Sequence, residues 1–177
     1  FMRLVPPLIP VLAVGLDLPL WRLGLLVSVY FAGSSAGLLP MGALSDRYDR
    51  RALLTLALGV VVVGYVVFAA APSIGPALPT VTVGGQAFGD QYLAMLLGMF
   101  LAGIGTSAHV PVGVPLLTAN ASAANRGRLL GIWGGASKLG DAATPAVVGI
   151  LILALGWRQI VGAFAVLGLV ITVVLFL

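Results

Sequence analysis

Lys138 and Asp141 stand three residues apart in "SKLGD", deep inside a long apolar run. On a helix, that spacing puts both side chains on one side. An ammonium and a carboxylate are costly in hydrocarbon, so each is a functional candidate by default. Such a pair can receive a charged solute, pass a proton or neutralise itself within the bundle. Arg3 could add a second positive group, and Trp133 could offer a ring face to a solute or simply pack. His109 lies beside Pro111 among small residues; a lone histidine there reads first as structural and second as a proton relay. Other chemistry has no residues to carry it. There is no Cys and no Glu, so neither a thiolate metal site nor a disulfide framework can form. Neither a phosphate-cradling G-x-x-x-x-G-K-[ST] loop nor an H-E-x-x-H pair is present. No enzyme activity, cofactor or metal is expected.

The chain around these residues is oily. Of 177 residues, 60% are hydrophobic and 8% are charged. A soluble domain carries about 25% charged residues, so this chain reads as an integral membrane protein in the lipid bilayer. The net charge of +4 comes from basic residues scattered among apolar runs. In a membrane chain that excess sets topology, and no nucleic-acid partner is expected. Crossing the bilayer takes about 20 helical residues. Six runs qualify as candidates: 1–16, 22–44, 52–72, 91–118, 128–154 and 159–177. They lack the period-2 alternation of membrane strands and are twice as long as such strands need to be. The first run is short and already apolar at Phe1, so helix one is expected to lack its beginning.

The links between runs orient the chain. Arg47, Arg50 and Arg51 fall in link 45–51, and Arg126 and Arg128 in link 119–128. The opposite links hold Arg22 and Arg158, and link 73–90 has no Lys or Arg. Positive residues favour the cytoplasmic side, so both basic links and both ends of the segment are expected there, in the plasma membrane. Link 73–90, rich in Gly and Pro, is expected to be an external irregular loop.

The turn "GALSDRYDRR" (42–51) holds five of the fourteen charged residues. Its Gly42, Leu44, Asp46, Arg47, Arg50 and Arg51 resemble the G-x-L-a-D-r-x-G-r-r signature of the major facilitator superfamily, which lies between helices two and three of a half. Asp49 departs from the pattern, standing where the family has Gly. "NRGRLLGIWGG" (125–135) and "LGWRQI" (155–160) resemble the family's entry into helix five and its 5–6 link. The resemblance implies an all-α membrane fold: six transmembrane helices as a 3+3 inverted repeat, forming one half of the facilitator fold over 1–177. It implies a second six-helix half as partner, from the same gene or by homodimerisation. It also implies that Gly42, Asp46, Arg47, Arg50 and Arg51 latch the two halves in one state. Gly42 would let helix two approach a neighbour, and Asp46 would sit near the positive start of helix three.

Within that scheme Lys138 lies about 15 Å past Arg128, near mid-depth. Arg3 lies about 20 Å from the outer end of helix one; it is inside the membrane if that helix continues before Phe1, and snorkels if it does not. Arg3, Lys138, Asp141 and Trp133 are the candidate solute site, and the positive balance favours a small organic anion. Arg3 and Trp133 weakly resemble features of the family's organophosphate:phosphate antiporters. Gly131, Gly140, Pro145 and Gly149 resemble the helix-five motif of its drug-efflux antiporters, with Thr144 and Val148 where that motif has Gly. Met99 stands where the family often has a proton-transfer Arg. The function implied is secondary active transport of a small-molecule substrate by alternating access, as an antiporter in one reading. The rival is a non-transporting sensor or assembly subunit on the same scaffold.

Overall fold

A computed structural model describes residues 4–83, 85–119 and 121–177. Helix α1 runs Val5–Gly15, α2 Leu20–Ser45, α3 Arg50–Ala69, α4 Ala71–Ile74, α5 Asp90–Thr106, α6 Gly113–Thr118, α7 Ala123–Leu151 and α8 Trp157–Phe176. Four helical stretches are long and apolar enough to cross a membrane: Leu20–Ser45, Arg50–Ala69, Gln91–Thr118 and Trp157–Phe176. The other two expected spans differ for separate reasons. Helix α1 covers only 11 described residues, opening on Pro6 and Pro7, whose missing N–H groups cost nothing in a first turn. Helix α7 has 29 residues, ample length, but Lys138, Asp141 and six glycines dilute its hydropathy.

The 73–90 link is not the irregular loop expected. A 3₁₀ turn at Gly75–Ala77 leads into an antiparallel hairpin, β1 Val81–Val83 and β2 Gln86–Phe88, with Thr82 opposite Ala87. Val and Thr favour the extended backbone, and Gly85 takes φ 78° at the turn. The run 91–118 is also interrupted. After α5 the chain tightens into a 3₁₀ turn, Ser107–His109, before α6. Pro111 and Pro115 lack N–H donors there. Pro115 leaves the Pro111 carbonyl without its helical donor, and Ser45 Oγ fills the place at 3.2 Å.

Helix α5 is the hub, packed against α2 on one side and α3 on the other. Glycines make this possible. A Cβ on Gly103 would strike the Tyr30 carbonyl and lie 2.9 Å from Ser34 N. One on Gly98 would lie 2.6 Å from the Gly64 carbonyl, and one on Gly64 would lie 2.5 Å from Ala102 N. Gly33 and Gly37 of α2 similarly abut Phe100 and Ser107. Backbones this close gain dispersion contacts that hydrocarbon tails cannot match. Helix α3 also runs along α8 and is strapped to it at both ends. Arg51 Nε donates to the Leu175 carbonyl at 2.8 Å, and Arg158 Nε donates to the Ala69 carbonyl at 3.2 Å. These contacts sort the chain into two ends: turn 46–49 lies at one, the hairpin at the other.

Candidate functional site

A cavity of about 380 Å³ opens between α3, α5 and α7, with Leu175 of α8 at its edge. One wall is aliphatic: Leu54, Ala57, Leu58 and Val61 of α3. The other is polar: Thr106 and His109 from the α5 end, and Ser137, Asp141 and Thr144 of α7. The polar set arises from helical spacing, since 137, 141 and 144 recur every three or four residues on one face of α7. Thr144 Oγ1 donates to the Gly140 carbonyl at 2.7 Å, holding the hydroxyl to its own helix. Pro145, inside α7, removes the N–H that would bond the Asp141 carbonyl. Across the cavity Tyr30 donates its hydroxyl to Thr106 Oγ1 at 3.0 Å, which donates to the Ala102 carbonyl at 2.6 Å.

Lys138 Nζ lies 3.7 Å from Asp141 Oδ2, so the expected pair forms. Its members face differently. The Asp141 side chain is 29% exposed and lines the cavity, whereas Lys138 is 81% exposed and stands outside the lining. The charged group of the cavity wall is therefore the carboxylate, and the ammonium reaches it from the rim. Arg3 lies outside the described residues. Trp133 stacks on His109, with ring centroids 4.7 Å apart and planes at 25°, joining two residues that the sequence offered separately.

The 42–51 turn departs from expectation in three places. Gly42 approaches no neighbour: nothing lies within 4 Å of where its Cβ would stand. The close approaches of α2 are at Gly33 and Gly37 instead, one GxxxG earlier. Asp46 is the C-terminal cap residue of α2, and it is Asp49 that caps α3, accepting from Ala52 N–H at 3.0 Å. Asp49 has φ −58°, so this turn does not use the left-handed backbone that the family's Gly permits. Among the described residues, no ion pair joins Arg47, Arg50 or Arg51 to Asp46 or Asp49. Arg51 is engaged with Leu175, Arg50 Nε is buried without a partner, and Asp46 and Arg47 are exposed. In α7 the glycines 131, 140 and 149 also face open space, so they do not make the tight helix approach expected of them. The residues that do so belong to α2, α3 and α5. Gly33 and Gly37, spaced as GxxxG in a candidate span, were the available signal.

Membrane-length apolar helices, packed backbone to backbone around a side-open cavity, make this a multi-pass membrane protein. The sequence profile of the Major Facilitator Superfamily matches residues 1–177, and the chain belongs to that family. It is 27% identical over 158 residues to a probable L-galactonate transporter of Escherichia coli, covering 89% of this chain and 31% of that protein. It is 29% identical over 143 residues to a triacylglyceride transporter of Mycobacterium tuberculosis, covering 80% of this chain and 24% of that protein. The chain thus spans a third or less of the curated relatives it matches. No solved structure matches it significantly.

Proposed function

We propose that the chain is one six-helix half, a 3+3 inverted repeat, of a secondary transporter that moves a small solute across the plasma membrane by alternating access. The observation that carries this reading is the cavity at α7. It is lined by the Asp141 carboxylate, paired with Lys138 at 3.7 Å, and an ionisable residue within a membrane protein's helices is a functional candidate by default. A second half, from the same gene or a second copy, would cover the exposed flank of α7. The basic ends of the links would face the cytoplasm. Asp46 and Arg47, exposed at the 46–49 turn, would make the state-specific contact with that half, while Arg51 and the α3–α8 straps keep this half rigid. A latch of this kind is a bistable contact, which alternating access needs.

The solute in this reading is a small organic anion. Lys138, at the rim, would receive its charged group, releasing Asp141, and the aliphatic wall of α3 would take its body. Trp133 would hold His109 in place. One of the two relatives above is named for an anion, L-galactonate, and the other for a neutral lipid, so the names alone do not select a class. Antiport rests on Pro145 and the α7 glycines only. The test is uptake by proteoliposomes challenged with pools of organic anions. Lys138→Ala is expected to cut anion uptake about tenfold or more, and Lys138→Arg to restore part of it, because the charge is kept while its geometry changes. Anion uptake undiminished in Lys138→Ala would remove the anion site and leave Asp141 to be tested with neutral and cationic solutes.

A further inference from the structure

The opposite end of the molecule carries a second cavity, of about 470 Å³, that transport through the first does not use. Arg22 and Asp17 line it, with Gln91, Pro72, Pro76 and Tyr92. Arg22 is unusually well held. Its guanidinium lies 5.2 Å from the Trp21 ring centroid, 5.5 Å from Tyr92 and 5.8 Å from Phe88. Its Nη2 donates to the Ala87 carbonyl of the hairpin at 2.9 Å, and Tyr92 donates its hydroxyl to the Arg22 carbonyl at 2.7 Å. Even so, Arg22 Nε is buried without a hydrogen-bond partner. A guanidinium fixed among rings and left short of acceptors is poised for an oxyacid group.

Asp17 adds the opposite pole. It is exposed, at φ 51°, in the short connection between α1 and α2. Among the described residues no ion pair joins it to Arg22, although both line one cavity. A simple anion would meet Asp17, and a simple cation would meet Arg22. A ligand carrying both charges would satisfy each, and the two prolines and Tyr92 would flank its carbon chain. We propose that this cavity binds a zwitterionic group, with its carboxylate or phosphate at Arg22 and its ammonium at Asp17. Such a group is borne by a free small solute or by an aminophospholipid headgroup, and both would present the same two poles.

The test uses O-phosphoethanolamine as the free probe, titrated calorimetrically into the purified chain in detergent. Phosphate alone and ethylammonium alone are expected to bind about tenfold or more weakly than the joined molecule, because each leaves one pole unpaired. Asp17→Asn is expected to weaken the probe by about tenfold. Asn accepts the left-handed backbone as Asp does, so this variant tests charge and not folding. Arg22→Gln should abolish binding, with circular dichroism confirming that the helices persist. In parallel, the chain is extracted from phosphatidylethanolamine vesicles and from phosphatidylglycerol vesicles, and retained lipid is counted by native mass spectrometry. Lipid retained from the first and lost in Asp17→Asn supports a headgroup; binding of the free probe with no such retention supports a free solute. If the probe binds wild type and Asp17→Asn alike, or phosphate alone binds as well as the probe, the proposal is wrong. If neither probe nor lipid binds, it is equally wrong, and Arg22 serves only to strap the hairpin to α2.

Discussion

Gly98, Gly103 and Gly105 of α5 each meet the backbone of a neighbouring helix, whereas Gly131, Gly134, Gly135, Gly140 and Gly149 of α7 have nothing within 4 Å of a built Cβ. The two helices are alike in their share of glycine and opposite in how they use it. In α5, the absent side chains bring three helices into contact. In α7, Val148 is the buried residue among those described, and the polar residues cluster on one face. What a glycine does for packing is therefore set by where it meets backbone, not by how much glycine a helix contains.

The sharpest way to break that contrast is at Gly103. Gly103→Ala would drive a methyl group into the Tyr30 carbonyl, an atom that no rotamer change can move away. Overpacking of this kind costs about 1–3 kcal/mol. The thermal melting temperature in detergent is expected to fall by several degrees, together with partial loss of cooperativity. An unchanged melt would mean that α2 and α5 are not pressed together as described.

The straps of α3 should matter less. Arg51→Gln and Arg158→Gln each remove a bond to a carbonyl at one end of the α3–α8 pair. Both arginines are exposed, so each loss is expected near the lower part of the about 0.5–1.5 kcal/mol range for a hydrogen bond. The two sites lie at opposite helix ends, so the double mutant should show the sum of the single effects. A clear excess over that sum, measured by denaturation, would show that the straps act as one device. At the adjoining turn, Asp49→Ala should cost about 1 kcal/mol through the lost N-cap. Asp46→Asn should leave stability alone and lower transport, since Asp46 caps α2 through its backbone only and its side chain is exposed. Equal transport in Asp46→Asn and wild type would leave the turn as a topology signal.

Much of this was legible in the residues. Length and hydropathy located four of the six expected spans because hydrocarbon thickness dictates them, and the order of residues in 42–51 pointed to the family. The Lys138–Asp141 pair was legible because i, i+3 geometry is local. What could not be read was whatever depends on a partner from elsewhere in the chain. Asp141 and Lys138 are indistinguishable by depth, yet only the cavity decides that one lines it and the other stands at the rim. Trp133 and His109 are 24 positions apart in number and stack only because the α5–α6 break brings them together. The hairpin was missed because the Gly and Pro count of 73–90 hid the Val-Thr-Val run and its Gly turn. The family pattern put Asp46 near the start of α3, while the position of Asp49 directly before Arg50 already fitted an N-cap.

The smallest expected effect sharpens the comparison most. Gly131 and Gly135 form a GxxxG, just as Gly33 and Gly37 do, and spacing alone makes the two motifs equivalent. Only the second pair has a helix against it. Gly131→Ala should therefore leave stability unchanged or raise it by up to about 1 kcal/mol, the gain in helix propensity when nothing stands in the way of the methyl group. Gly37→Ala should lower stability, because its Cβ would lie 2.9 Å from that of Ser107 and nearer still to the hydroxyl. Opposite signs at two identical motifs would establish that the neighbour, not the motif, determines the outcome. A larger substitution then separates packing from movement. Gly131→Leu should still fold, because the space beside it is open. If that variant melts like wild type but fails to transport, the open face of α7 is a surface that the transport cycle closes upon. If it both folds and transports normally, that face meets only lipid, and the moving contact must be sought at the 46–49 turn instead.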